Sequence, residues 1–294
     1  MRARKLLLVL AALASWWLAS GSAAERDPAS PPPPAAEDAL PPGASLTGRD
    51  IYQCVLDNRF DSYVQTSRLL SGDRGGATQE SRLRMTWRSF REGADGSEEA
   101  EPEPSSGEVL SKTLVKYTDP FDLRFSGYLI VNNHTRPNDQ FVYLAASRRI
   151  RRVNLRREAV FGTDFTFEDI VPREIEDGDY QRLPDATVNG TPVFVVEVVP
   201  RDHADSDYAR FVIHVEKDHC VPLLTRYWDK RNVEVKELTA PAASIQELKG
   251  VWWPMELTMR NLQLDTFTTL RVEELEPNPE LSRKIFDLRR LESH

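Results

Sequence analysis

Between positions 82 and 88 the chain alternates strictly, with Leu83, Met85 and Trp87 on one side and Arg82, Arg84, Thr86 and Arg88 on the other. A period of two sends successive side chains to opposite faces, so this stretch predicts a half-buried antiparallel strand. Further short strands are predicted over 110–117, 125–131, 141–145, 193–199, 210–215, 223–228, 233–238, 253–259 and 266–272, mostly separated by Asn, Asp, Gly or Pro. Helical spacing occurs in three places. Thr47 and Asp50 have capping-box spacing ahead of Ile51, Cys54 and Val55, which predicts a helix ending near Phe60. A short helix is predicted over 165–171, and a last one after Asn278-Pro279, where Leu281, Ile285 and Leu288 share a face.

Many meandering strands with few helices predict a mainly β, α+β fold: one large, curved antiparallel sheet whose helices cover a face or plug an end. A sheet this wide curls, and a cavity between sheet and lid suits an apolar ligand. The alternation nominates Met85, Trp87, Leu129, Phe211, Ile213, Trp228, Met255, Leu257 and Met259 for the concave face. Aromatics mixed with methionines tolerate varied apolar partners. The same residues also fit a plain packed core, and a one-residue slip in register would turn any strand's set over.

The N-terminus changes the picture. Arg2, Arg4 and Lys5 precede an uncharged apolar run over 6–18 and the small residues Ser20 to Ala24. This predicts a signal peptide over 1–24, cleaved near Ala24, since the run falls short of the roughly 20 residues of a spanning helix. No cysteine stands at the cleavage site to carry a lipid. Residues 25–46, with prolines at 31–34 and 41–42, predict a disordered Pro/Ala-rich tether, leaving 47–294 as a single domain. Residues 92–108 predict an acidic loop.

The 294 residues are 40% hydrophobic and carry a net charge of −8, which loss of the leader makes more negative and which argues against a general nucleic-acid binder. Export places Cys54 and Cys220 in an oxidising compartment; they either form one disulfide or are two small buried hydrophobes. His134, His203, His214, His219 and His294 lack metal-site spacing, so no metal is expected. Nucleophile-elbow, Walker and dinucleotide-binding motifs are also missing, so neither a cofactor nor an enzymatic activity is expected. Glu168-Asp169 and the pair Asp177 and Asp179 are not distinguishable by spacing from solvated charge. Asn133-His134-Thr135 and Asn189-Gly190-Thr191 match the glycosylation sequon.

One stretch does not fit a simple strand. Arg148, Arg149, Arg151, Arg152, Arg156 and Arg157 crowd together, followed by Glu158, Asp164, Glu168, Asp169, Glu174, Glu176, Asp177 and Asp179. Desolvation forbids burying so many guanidinium groups unpaired. Two readings stay open: a local surface ion-pair network, or free forks, Arg148, Arg149, Arg151 and Arg152 first among them, contacting a headgroup or a partner.

Residues 143–152 (YLAASRRIRR) and 161–170 (FGTDFTFEDI) resemble the hallmark of the LolA-like outer-membrane lipoprotein-sorting superfamily, in its larger bacterial branch. Ala145 stands for the usual Pro, Thr163 for Ser and Phe167 for Tyr. Glu216-Lys217-Asp218, Pro222-Leu223, Tyr227-Trp228-Asp229, Trp253-Pro254 and Met259-Arg260-Asn261 add to the likeness, which spans 47–291. The resemblance implies a half-open β-barrel covered by a few helices: a monomeric, non-enzymatic periplasmic carrier or chaperone. Its apolar cavity would receive a lipid, lipoprotein acyl chains or a similar apolar molecule for transfer towards the outer membrane. That branch is also associated with RND-type inner-membrane exporters. The lid-closing arginine of the smaller carriers maps onto no single position here. The alternative is a non-enzymatic periplasmic sensor or adaptor that docks on a membrane transporter or signalling protein through the arginine-rich segment.

Overall fold

The computed structural model describes residues 46–91, 109–134, 136–154 and 157–292. The expected leader, the tether apart from Leu46, the acidic loop 92–108, and Thr135, Arg156 and His294 lie outside the described residues.

Helix α1, Gly48–Asp57, starts as its capping box requires: Thr47 Oγ1 accepts from the Asp50 amide at 3.2 Å, and the Asp50 carboxylate accepts from the Thr47 amide at 2.8 Å. The shorter Asp therefore closes the box as well as Glu would. The chain then runs outward from the middle of a sheet through β1 (Ser62–Gly72), β2 (Thr78–Ser89), β3 (Val109–Asp119), β4 (Gly127–Asn133) and β5 (Asp139–Leu144) to β6 (Arg149–Val153) at one edge. It next crosses to the opposite edge, β7 (Gly178–Val188), and returns through β8 (Thr191–Pro200), β9 (Tyr208–Glu216), β10 (Pro222–Asp229) and β11 (Glu234–Thr239). A separate hairpin, β12 (Ile245–Leu248) with β13 (Val251–Pro254), precedes β14 (Glu256–Asn261), which pairs with β11. The last strand, β15 (Thr266–Pro277), lies between β14 and β1 and joins the two halves. The sheet has 13 strands, every pairing is antiparallel, and β6 and β7 remain unpaired edges, so the barrel does not close.

Four strands escape the hydrophobic pattern, each for a physical reason. Strand β1 sits mid-sheet, yet its plug-side positions include the buried polar residues Gln65 and Ser67. The edge strands β6 and β7 carry arginines and Pro184, which blunt edges against further pairing and erase the apolar signature. The fourth, β12, is four residues long.

Three expectations are corrected. No helix forms over 165–171: the Asp169 carboxylate accepts from the Thr166 amide at 2.7 Å and hydroxyl at 2.8 Å in a local turn, and Pro172 disfavours helical backbone at Val171. The predicted strand 253–259 breaks at Pro254-Met255 into β13 and β14. The C-terminal helix is a 3₁₀ turn, Arg283–Phe286, followed by α2, Leu288–Glu292.

Both faces of the sheet are covered. On one face Val115, Tyr117, Tyr128 and Ile130 form a cluster with Val160 and Phe167 of the β6–β7 crossover, and Val196, Phe211, Ile213 and Met259 form another with Ile51 and Tyr52 of α1. Their sequence neighbours Leu114 and Leu129 point the other way, beneath Phe286 and Leu291. The two sides are called here the plug face and the back face.

Candidate functional site

The crossover from β6 to β7 is the segment that carries the FGTDFTFEDI motif, and it lies as a plug over the sheet. Phe161 and Gly162 turn it with φ of 47° and 77°. Its carboxylates are anchors: Asp164 and Asp169 are tied to strands, and Glu168 to Arg173 and the loop that precedes β9. The Asp164 carboxylate accepts from Thr268 Oγ1 at 2.8 Å and from Thr266 Oγ1, both on β15. Glu168 accepts from Arg173 at 2.9 Å, from the Asp207 amide at 2.9 Å and from Ser206 Oγ. Asp169 accepts from Lys236 Nζ of β11 at 2.7 Å and from Tyr208 Oη of β9 at 2.7 Å. The Asp169 and Lys236 side chains are only 1% and 9% exposed. Glu168 and Asp169, with side chains 8% and 1% exposed, are hydrogen-bonded acceptors and not solvated charge.

Between plug and sheet lies an apolar cavity of about 360 Å³. Its floor is Tyr63, Gln65 and Leu69 of β1, Leu83 and Met85 of β2, Tyr117 of β3 and Tyr128 of β4, continuing across Leu270 and Val272 to Leu257 and Leu238. Its roof comes from four places: Val55 and Asn58 at the end of α1, Val160 to Ile170 of the plug, the Cys220–Pro222 turn, and Trp252, Trp253 and Pro254 of the small hairpin. The roof is pinned. Asn58 donates to the Trp252 carbonyl at 2.8 Å and accepts from its amide at 2.9 Å, and the His219 ring lies 3.7 Å from the Trp252 ring. Cys54 of α1 and Cys220 form a disulfide with a Cα separation of 5.8 Å, which resolves the alternative left open by the sequence. Burial pushes the phenols of Tyr63, Tyr117 and Tyr128 up from their ordinary value, so all three stay neutral.

Of the nine residues nominated for a ligand face, Met85 and Leu257 line the cavity. Trp87 shares their face and stacks on Tyr63 at 5.6 Å. Phe211, Ile213 and Met259 are on the plug face, packed with α1. Met255 sits at the break between β13 and β14. Leu129 and Trp228 are on the back face, Leu129 under α2 and Trp228 beneath the Arg210 guanidinium at 3.8 Å. Period-two reasoning aligned each strand internally but carried no information on relative register between strands. The aromatic liners Tyr63, Tyr117, Tyr128, Trp252 and Trp253 were not nominated; their clustering depends on long-range pairing.

Among the described residues, the arginine block forms no ion pair with the acids that follow it; Arg156 lies outside them. Arg152 binds Asp139 and Arg157 binds Asp207, at 2.6 Å in the latter. Glu174, Glu176 and Asp179 go instead to Arg91, Arg49 and Arg201. Arg148, Arg149 and Arg151 are exposed at edge β6 with no carboxylate within ion-pair distance among the described residues. Nearby, the β3–β4 loop presents Phe121, 92% exposed. No group of His, Cys, Asp and Glu among the described residues is arranged to hold a metal.

An open antiparallel sheet with a plugged apolar cavity is the LolA-like fold, and solved structures agree. The chain is similar to an outer-membrane lipoprotein-sorting protein domain from Vibrio parahaemolyticus (TM-score 0.71, 23% identity, 84% of this chain and 98% of that one). It is also similar to a DUF1329 family protein from Desulfovibrio piger ATCC 29098 (0.73, 19%, 84% and 100%) and to a LolA superfamily protein from Nitrosomonas europaea (0.62, 16%, 84% and 100%). No curated protein sequence matches the chain. Residues 110–293 match the model of the DUF1329-like family, described as uncharacterized protein, and the chain belongs to that family.

Proposed function

We propose that this protein is a non-enzymatic periplasmic carrier that shelters an acyl chain of a lipid or lipoprotein between plug and sheet, for transfer towards the outer membrane. The observation that carries the reading is the cavity: apolar, roofed by four separate segments, and about 360 Å³ in volume. That volume is within the range of small-molecule sites and equals about twelve water-sized units, so about a dozen methylenes fit. At about 0.8 kcal/mol per buried methylene the gross gain is about 10 kcal/mol, enough to hold a chain after ordering costs without any catalytic group. The LolA-like fold supports this reading, as does the lipoprotein-sorting description of the Vibrio neighbour. Lipid extraction and mass spectrometry of protein purified from its native periplasm, with uptake of a fluorescent fatty acyl probe, test it. Bound lipid or saturable uptake is expected; the lack of both would refute it.

Arg148, Arg149 and Arg151, which have no ion-pair partner among the described residues, favour a second role: an adaptor surface for an acidic face of a membrane transporter, an RND-type exporter among them. Charge reversal at Arg149 and Arg151 separates the two. Loss of partner capture with acyl uptake intact supports the adaptor, whereas loss of uptake ties the block to the cavity.

A further inference from the structure

Ten large hydrophobic side chains are exposed among the described residues, and they are not scattered. The pairing registers bring the β1–β2, β3–β4, β5–β6, β10–β11 and β14–β15 turns to one end of the sheet. Phe121, Phe125, Leu144, Val233, Leu262 and Leu264 lie in those turns or beside them, Phe121 at 92% exposure and Leu264 at 69%. The β4–β5, β7–β8 and β9–β10 turns at the other end present none among the described residues. Single exposed apolar residues are ordinary on a protein surface, but their collection at one end is not.

Two of these turns form one corner. The Ala145 amide after β5 donates to Ser126 Oγ of the β3–β4 loop at 3.0 Å, which holds the tips carrying Phe121 and Leu144 side by side. Each tip is braced by its own backbone: the Phe125 amide donates to the Tyr117 carbonyl at 2.9 Å, and the Arg148 amide to the Leu144 carbonyl at 3.0 Å. Arg124, Arg148, Arg149 and Arg151 stand exposed at the corner, Arg149 directly across from Leu144, against the acids Asp119 and Asp122 of the β3–β4 loop. None of the four guanidinium groups has a carboxylate within ion-pair distance among the described residues, and Arg124 lies over the Phe125 ring at 5.1 Å.

Going beyond the carrier reading, we infer that this corner docks the protein on a bilayer of anionic phospholipid. Phe121 and Leu144 enter the interface while the four arginines meet lipid phosphates. Apolar tips flanked by cations suit a membrane interface, where buried apolar area and attraction to anionic headgroups add. The guanidinium fork matches phosphate oxygens bidentately. Arginines by themselves suit an acidic protein face equally well, and Phe121 decides between the two. A ring 92% exposed projects clear of its own surface, so a protein partner needs a socket shaped for it, whereas acyl chains accept it at any position. The chain as a whole carries a net charge of −8, so the attraction is local to this corner and not a general affinity for anions.

Flotation of the mature protein with vesicles of phosphatidylethanolamine and phosphatidylglycerol, and with phosphatidylcholine vesicles, tests the docking. Binding is expected on the anionic vesicles and should fade as salt is raised. Phe121→Ser should weaken it about 10- to 100-fold, the worth of burying one large apolar side chain. Arg124→Glu with Arg148→Glu should weaken it at least about 25-fold, at about 5-fold per cation. Leu46→Ser, beside the opposite edge strand β7, should bind as the parent does. In Phe121→Trp the new indole should shift to the blue on the vesicles and be quenched by acyl-brominated lipid beyond the parent's response. All four variants should melt with the parent, since each changed side chain is exposed. No binding to anionic vesicles, equal binding to phosphatidylcholine, or unchanged binding of Phe121→Ser would overturn the inference. Capture of a membrane protein through this corner without vesicle binding would overturn it in favour of a protein partner. Acyl-probe uptake should be equal in parent and Phe121→Ser, so the carrier reading stands or falls separately.

Discussion

Replacing Lys236 by methionine is expected to cost about 3–5 kcal/mol of stability, because it strands a buried carboxylate. Lys236 and Asp169 meet at 2.7 Å with side chains 9% and 1% exposed, so loss of the ammonium leaves a carboxylate that has almost no contact with water. Three other donors remain on Asp169, the Thr166 amide and hydroxyl and Tyr208 Oη, and they hold the charge in place. Asp169→Asn strands the ammonium instead and should cost a comparable amount. The double variant, in which no net charge is buried, should recover much of the loss and show a coupling of about 0.5–3 kcal/mol. Urea unfolding followed by tryptophan fluorescence and far-ultraviolet circular dichroism measures all four proteins. A loss under about 1 kcal/mol for Lys236→Met, or strict additivity in the double variant, would refute the assignment of this pair as an anchor of the plug.

Other outcomes follow from the same structure. The disulfide closes a separation of 166 residues, so Cys54→Ser with Cys220→Ser should lose about 2–5 kcal/mol and release an acyl probe faster, read by reducing and non-reducing melts and by stopped-flow exchange. Gly127→Ala should be strongly destabilising in the same melts, since a Cβ there would stand 2.1 Å from the Val115 carbonyl oxygen. Burial alone would raise the Asp139 carboxyl, but hydrogen bonds from Arg136, Asn133 and Arg152 outweigh it and hold the group below its ordinary value. Its contribution to stability is therefore full above the unfolded pKa of about 3.9 and drains as pH falls through the lower folded value. Asp139→Asn should flatten that acid limb in a pH series of melts, and an unchanged slope would contradict the pairing. Asn58→Ala should leave the sheet intact but loosen the hairpin over the cavity, seen as faster hydrogen exchange at Trp252 and Trp253.

Local chemistry was legible wherever neighbours in sequence are also neighbours in space. The Thr47–Asp50 box and the alternation of 82–88 could be read directly, and so could the β fold class. Hidden from such reading were the edge strands, because Arg149, Arg151, Arg152 and Pro184 protect edges by looking unlike strands. The candidate site was less legible than the fold. Met85 and Leu257 carry a hydrophobic signal, whereas Gln65 and Tyr117 join the cavity wall only through the pairing of β1, β2 and β3.

The sequence by itself determined that a chain of alternating segments builds a large antiparallel sheet, and it contained the motif that marks the LolA-like resemblance. Only the tertiary structure decided what the motif does. The arginine half is an exposed edge strand. The acidic half is a plug whose carboxylates bind β9, β11, β15 and Arg173 and, among the described residues, none of the arginines of the block before it, because the crossover carries them to the middle of the sheet. Ion pairing follows distance in space, and that distance is set by a strand order that no local pattern encodes.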